Sequence, residues 1–437
     1  MASGCIPGDA QRLVRLGAVL ALTLAGSVVL LRAQSETIVN VPPGTYDLSA
    51  ILTQGGSASN RIRYRPATAG SVTIRGGGTV NRSYVTLEGF LFDGTLNPKY
   101  GGSGVHTVII GTNMVGVRIE NSDLKASAHD VHTGYVWGTN TSDCQESGAL
   151  SSATGISVNS GANVVLADSV MHGGYNATNH LSNAFLRIER SLVRNNFNGL
   201  QVGSNSTIEF VDSVLWDHPN HPIVVDSSDQ AALLIDNSVI VNGQNTVRTV
   251  GELGGSHVIV RHSTFYTPNR HPCGSDAGID PTNVRQQVVI QNNLVAVNTN
   301  NWWRANSNQL GFYQSNYNLG WHWDSSGSTD LRLDGSQISL AQWRTATKLD
   351  QNTIRARPVF ADAPDYVSPL PSTGSQANQW GFRVPSSVAQ VRGWFTLQAG
   401  SPGKGAGSDG KDMGIAEGAG GGGTWGPRPP TNLRIIR

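Results

Sequence analysis

The chain has 437 residues, with 31 basic against 30 acidic side chains and a formal charge of +1. That balance excludes the electrostatic footprint of a nucleic-acid or anionic-membrane binder, so any anionic ligand must be held by a local cluster. The length could hold two or three ordinary domains, but the repeat described below argues for one elongated body with distinct ends.

Residues 1–33 read as a signal peptide. Arg12 and Arg15 precede a mainly apolar run over 16–31, and Ala33 offers a small residue for cleavage. The run is short of the roughly 18 apolar residues of a spanning helix. Export to the periplasm or the medium is therefore expected, with no membrane attachment after removal. Cys5 lies ahead of the apolar run, the wrong place for a lipid-modified cysteine. Beyond the signal only Cys144 and Cys273 remain, either as a bridge or as two free thiols.

Residues 37–94 open as short strands: Ile38 with Val39, Ile62 with Tyr64, Val72 with Ile74 and Val85 with Leu87, separated by Gly-rich corners. The stretches Pro43-Gly44-Thr45-Tyr46, Asn60-Arg61-Ile62 leading into Arg63-Tyr64-Arg65, and Tyr84-Val85-Thr86-Leu87-Glu88-Gly89-Phe90 resemble the opening of secreted right-handed β-helix proteins, especially polysaccharide lyases of the chondroitinase B and alginate lyase type. The resemblance covers residues 38–94. It implies the architecture, and it implies a calcium-assisted β-elimination using a lysine and an arginine, although no such acidic cluster or Lys/Arg motif is recognisable in this sequence.

From there one unit recurs: an apolar anchor, an aliphatic residue two before it, and polar residues two and three after it. Anchors fall at Leu87, Ile119, Leu166, Ile188, Phe210, Ile235, Val260, Ile290 and Tyr313, with intervals of 32, 47, 22, 22, 25, 25, 30 and 23. Alternation around each anchor is strand-like, and a period in the low twenties indicates a solenoid whose coils bury their faces on one another. A leucine-rich repeat would need a leucine ladder and a helix or equivalent turn in each repeat. The composition instead predicts an all-β, single-stranded, right-handed parallel β-helix of roughly ten coils over residues 36–320. Asn121, Asp168, Asp212, Asn237 and Asn292, followed by Ser122, Ser169, Ser191, Ser213, Ser238, Ser263 and Asn293, are the expected corner residues. Residues five after the anchors, from Leu124 to Val295, are expected to form a third hydrophobic stack.

The 47-residue interval holds a surplus at 125–148, with His129, Asp130, His132, Tyr135, Trp137, Asp143 and Glu146. This is either a binding loop on a rigid scaffold or a solvated loop packed by its own aromatics. The aromatic stretch 300–324 and a short helix at 339–347 predict an aromatic C-terminal cap, and 321–415 forms a closing segment. Residues 416–437, rich in Gly and Pro, read as a flexible tail.

At six after the anchor the column runs Asp93, Lys125, His172, Arg194, Trp216, Val241, Tyr266, Ala296; its first members are polar and its later ones mostly apolar. Asp217, His218 and His221 extend the polar patch. One reading is a cleft for an acidic polysaccharide. In it Arg194 or Arg248 neutralises a uronate carboxylate, Lys125 or His172 removes the adjacent proton, and His129, Asp130 and His132 help bind. The bland alternative is a solvated stripe at a solenoid corner. A calcium ion would need oxygen ligands, for which Asp130, Asp143, Glu146, Asp168 and Asp217 are candidates. Two other functions fit the fold. One is an inverting hydrolase using paired carboxylates among Asp217, Asp226 and Asp280; the other is a non-catalytic carbohydrate-binding or adhesive solenoid. The expected partner is a polysaccharide, and the expected state a monomer.

Overall fold

The structure is a computed structural model that describes residues 35–99, 105–127, 153–218, 221–226, 230–241, 246–250, 255–268, 277–298, 300–323, 330–363 and 384–416. Residues 1–33, the loop carrying His129, Asp130 and His132, both Cys144 and Cys273, and nearly all of the tail lie outside the described residues. The chain is a parallel β-helix. One sheet stacks 11 strands, a second stacks 12, and the third face is shared by sheets of 4 and 7 strands. Among the described residues the strand pairs are parallel, except for the hairpin of Leu331–Leu333 with Ser336–Ile338 and an isolated antiparallel bridge between Phe360 and Leu397.

A single coil shows why the sequence folds this way. Phe185–Glu189 lies in the first sheet with Leu186 and Ile188 buried; Arg190 turns the chain at φ 48°; Leu192–Arg194 lies in the second sheet with Val193 buried; and Leu200–Val202 forms the third face. The next coil begins in register, Ile188 opposite Phe210 and Val193 opposite Leu215. The predicted stacks are present: the anchors from Leu87 to Ile290, and the set from Leu124 to Val295, have no exposed surface.

The corner after the first sheet is built from the predicted residues. Asn121, Asp168, Asp212, Asn237 and Asn292 all have left-handed backbone, with φ between 48° and 59°. Behind them each serine accepts from the backbone N–H of the serine one coil earlier, as in Ser169 to Ser191 (3.1 Å), Ser191 to Ser213 (3.1 Å) and Ser213 to Ser238 (3.1 Å). Each also donates to the carbonyl two residues back. Asn293 and Asn318 continue the ladder through their carboxamides.

The last anchor is corrected by two residues. Ile290 pairs with Ser315, while Tyr313 pairs with Val288. The anchor position there holds a serine because Asp350 accepts its hydroxyl hydrogen at 2.9 Å inside the stack. At this end Trp302 and Trp303 are fully buried, and helix α1 (Leu340–Thr347) adds the buried Trp343. Gly320 occupies the inward position of its coil. A Cβ there would stand 2.4 Å from the Trp302 ring, so the missing side chain is what admits the indole.

The outer face of the first sheet neutralises itself. Arg63 pairs with Glu36, Glu88 and Glu120, and Arg187 with Glu189 and Glu209. The second sheet is treated differently along its length. Residues 384–416, including helix α2 (Val388–Trp394), lie across its later coils, where Val391, Trp394, Phe395 and Leu397 pack on Trp216, Val241, Tyr266 and Leu294. The column of outward residues turns apolar at Trp216 because the chain itself covers it from there on.

Candidate active site

The polar stretch of the second sheet, which residues 384–416 do not overlie, comprises the strands Leu91–Asp93, Asp123–Lys125, Val170–His172 and Leu192–Arg194. In each, the middle residue points into the stack, so its neighbours face outward. Asp93, Lys125, His172 and Arg194 pair rung by rung. The 47-residue interval is therefore an excursion that leaves the register intact, and Lys125 stands directly opposite His172. Lys125 and Arg194 are two rungs apart, roughly 10 Å.

These four side chains differ in state. Asp93 is committed to structure, accepting from the Thr95 amide (3.0 Å) and hydroxyl (2.6 Å). Lys125 is part-exposed and makes no ion pair among the described residues. His172 is buried at 3% exposure, with Nε2 2.9 Å from Asp123 Oδ1. An ionised carboxylate only accepts, so this contact puts the proton on Nε2 and fixes the ring. Arg194 is part-exposed at the end of its strand. Asp123 was missed in the sequence; its signal is its place two residues before Lys125, on the same outward face.

At the corner after this sheet Gly173, Asn195 and Asp217 have left-handed backbone, with φ of 75°, 52° and 56°. Asn196 is buried and bonds both the Gly174 N–H (2.8 Å) and the Arg194 carbonyl (3.0 Å). His218 has no exposed surface, and its Nε2 lies 3.3 Å from the Val193 carbonyl. Tyr175, three residues after His172, stacks on Phe197 of the next coil at 5.0 Å and 23°. This aromatic pair was also not foreseen.

His221 and Arg248 belong to the third face and are not brought to the strand of Lys125 or Arg194; Arg248 lies in Val247–Val250, opposite Val224 and Asp280. The other third-face carboxylates are engaged. Asp226 Oδ2 is 3.2 Å from His180 Nε2, and Asp280, 1% exposed, is bridged by Arg304 and held by Thr282. Among the described residues no group of three or more His, Cys, Asp or Glu side chains could hold a metal ion. Asp168, a calcium candidate, instead accepts two bonds from Arg190 at 2.8 and 2.7 Å. The described donors do not fit a calcium site, and Asp130, Asp143 and Glu146 lie outside the described residues. Among the described residues no helix is long and apolar enough to cross a membrane.

No family model and no curated protein matches the chain. Solved structures do. A PL6 alginate lyase in complex with a trisaccharide aligns with TM-score 0.34 and 12% identity over 76% of this chain and 85% of that one. A point mutant of the PL6 family alginate lyase AlyGC aligns with TM-score 0.36 and 11% identity over 77% of this chain, which spans about half (52%) of that longer one. The pectin methylesterase from Aspergillus niger gives TM-score 0.22 and 13% identity over 80% and 89% of the two chains. At these scores the likeness assigns no residue a role.

Proposed function

We propose that the protein is a secreted polysaccharide lyase that cleaves an acidic, uronate-containing polymer by β-elimination on the polar stretch of the second sheet. The observation that supports this reading best is the in-register row Lys125, His172, Arg194, with Asp123 fixing the His172 ring. A lyase needs a cation to neutralise the uronate carboxylate, a base for the proton on the carbon beside it, and a proton for the leaving oxygen. Arg194 fits the first task by its charge and its place at the strand end. Lys125 or His172 takes the proton. The electrons of the broken C–H bond form the new carbon–carbon double bond, the glycosidic C–O bond breaks, and the departing oxygen is protonated by the other member of the pair. Tyr175 on Phe197 offers a flat surface beside the row for a sugar ring. Export by the 1–33 segment belongs to the same proposal.

The test is a screen of uronate polysaccharides with and without a chelator, following the ultraviolet absorbance of unsaturated products. Activity is expected on an acidic polymer, and Lys125→Ala or Arg194→Ala is expected to lower it by about 10² to 10⁴. Reducing sugar without such absorbance would mean hydrolysis, and binding with no product would mean a non-catalytic solenoid. Activity confined to neutral glycans would end the β-elimination reading, because no proton beside a carboxylate would be present.

A further inference from the structure

We infer that the third face carries a separate carboxylate-binding site, built on Arg248 with His221 and flanked by side-chain amides, which holds an acidic sugar of the polymer away from the Lys125 row. Only the choice of an acidic sugar rests on the proposed function; the anion site rests on the geometry of Arg248.

Gln201, Val224, Arg248 and Asp280 occupy successive rungs of one outward row, while Leu200, Ile223, Val247 and Ile279 beside them are fully buried. Arg248 Nη1 is 2.6 Å from His221 Nε2. A guanidinium has no acceptor atom and does not give up its proton, so the imidazole nitrogen accepts and His221 is neutral. Burial, reinforced by the Arg248 charge, pushes the His221 imidazole down to about 4. The contact therefore spends one guanidinium N–H, and neutral His221 does not offset the positive charge.

The neighbouring acids do not supply the missing charge. Asp280, opposite Arg248 on the next rung, is bridged to Arg304, and Asp226 is engaged with His180. Among the described residues Arg248 forms no ion pair. On the other side Asn198 Nδ2 and Gln201 Nε2 both donate to Asn176 Oδ1, each at 2.9 Å. Asn198 precedes Leu200 by two residues, as His221 precedes its partner Ile223, so Asn198 stands one rung from His221, and Gln201 lies two rungs from Arg248 in the same row. A planar, charged fork next to amides suits a ligand that carries a carboxylate and hydroxyls together.

The experiment titrates the full chain with an oligo-uronate, the same oligosaccharide with its carboxyls reduced to alcohols, and inorganic phosphate, reading the Kd and the His221 ring resonances. The acidic oligosaccharide should saturate and move the His221 resonances, and Arg248→Gln, which keeps a donor, should weaken binding about ten-fold or more. Lys125→Ala should leave the His221 shift intact even where turnover is abolished. If no lyase activity is ever found, the shift and its loss in Arg248→Gln still support the site. An unchanged Kd in Arg248→Gln, an unmoved His221, equal binding of the reduced oligosaccharide, or phosphate binding as tight as the oligo-uronate would each overturn it.

Discussion

His221 titrates at about 4 in the folded chain, because it is buried against Arg248, and near 6.5 once unfolded. A depressed pKa means that the folded state resists protonation. The resulting stability is complete above pH 6.5 and is lost as the pH falls from there towards 4. The difference amounts to at most about 3 kcal/mol. A urea denaturation series between pH 7 and 4 should show this loss, and His221→Gln should flatten that part of the curve. Arg248→Gln should move the His221 titration, followed by NMR, back up. At this scale the sequence was informative wherever offset from an anchor alone decides a position. Lys125, His172 and Arg194 share an offset from their anchors, and the structure sets them rung on rung. It was less informative where a role depends on a partner: the order of residues places Asp123 on the outward face beside Lys125 but does not show its bond to His172, and it does not separate the part-exposed His221 from the buried His218.

At the scale of the element, the corner ladder explains why the repeat tolerates coils of different length. Each serine hydroxyl satisfies an N–H in the coil before it and a carbonyl in its own coil, so the corner is closed whatever the loops do elsewhere. Ser213→Ala would leave the Ser191 N–H buried without an acceptor, a loss of about 1–3 kcal/mol. The expected readout is a lower urea midpoint together with faster hydrogen exchange at the Ser191 amide. These coils were legible because two periods agree, the two-residue alternation of the strand and the polar pair at the turn. The final coil was misread at Tyr313 for a physical reason. The true anchor, Ser315, is polar, and its burial is made tolerable by Asp350, 35 residues later, which also accepts from Asn318, Thr353 and Trp343. An apolar-anchor rule cannot find a position whose polarity is satisfied from elsewhere in the chain. The third-face strands are not legible in the sequence, since they are as short as two residues and separated by loops of varying length.

For the whole molecule, the decisive contact joins the end of the chain to its middle. Arg392 donates to the Asn237 carbonyl across 155 residues, Ser408 receives the Asn292 amide across 116, and the Ile415 amide reaches Thr264 across 151. The sequence contained the consequence, a column that changes from polar to apolar after Arg194, but not the cause, because helix α2 is only seven residues long and has no periodicity that names its target. This strap limits the polar surface to the earlier coils and ends it at an aromatic wall, where Trp394 stands 5.5 Å from Trp216. Truncating that wall should test both functions at once. Trp394→Ala removes a side chain that is 7% exposed and uncovers Trp216, so the expected loss is about 3–5 kcal/mol, as for other buried aromatics. Val384→Ala, at a residue of the same segment that is 45% exposed, should change stability by no more than about 0.5 kcal/mol. If the strap seals the sheet, Trp394→Ala will also bind an apolar dye that the parent chain does not. A Trp394→Ala variant with an unchanged urea midpoint and no dye binding would show that the strap is not held to the second sheet in solution, and the polar row would then have no closed end.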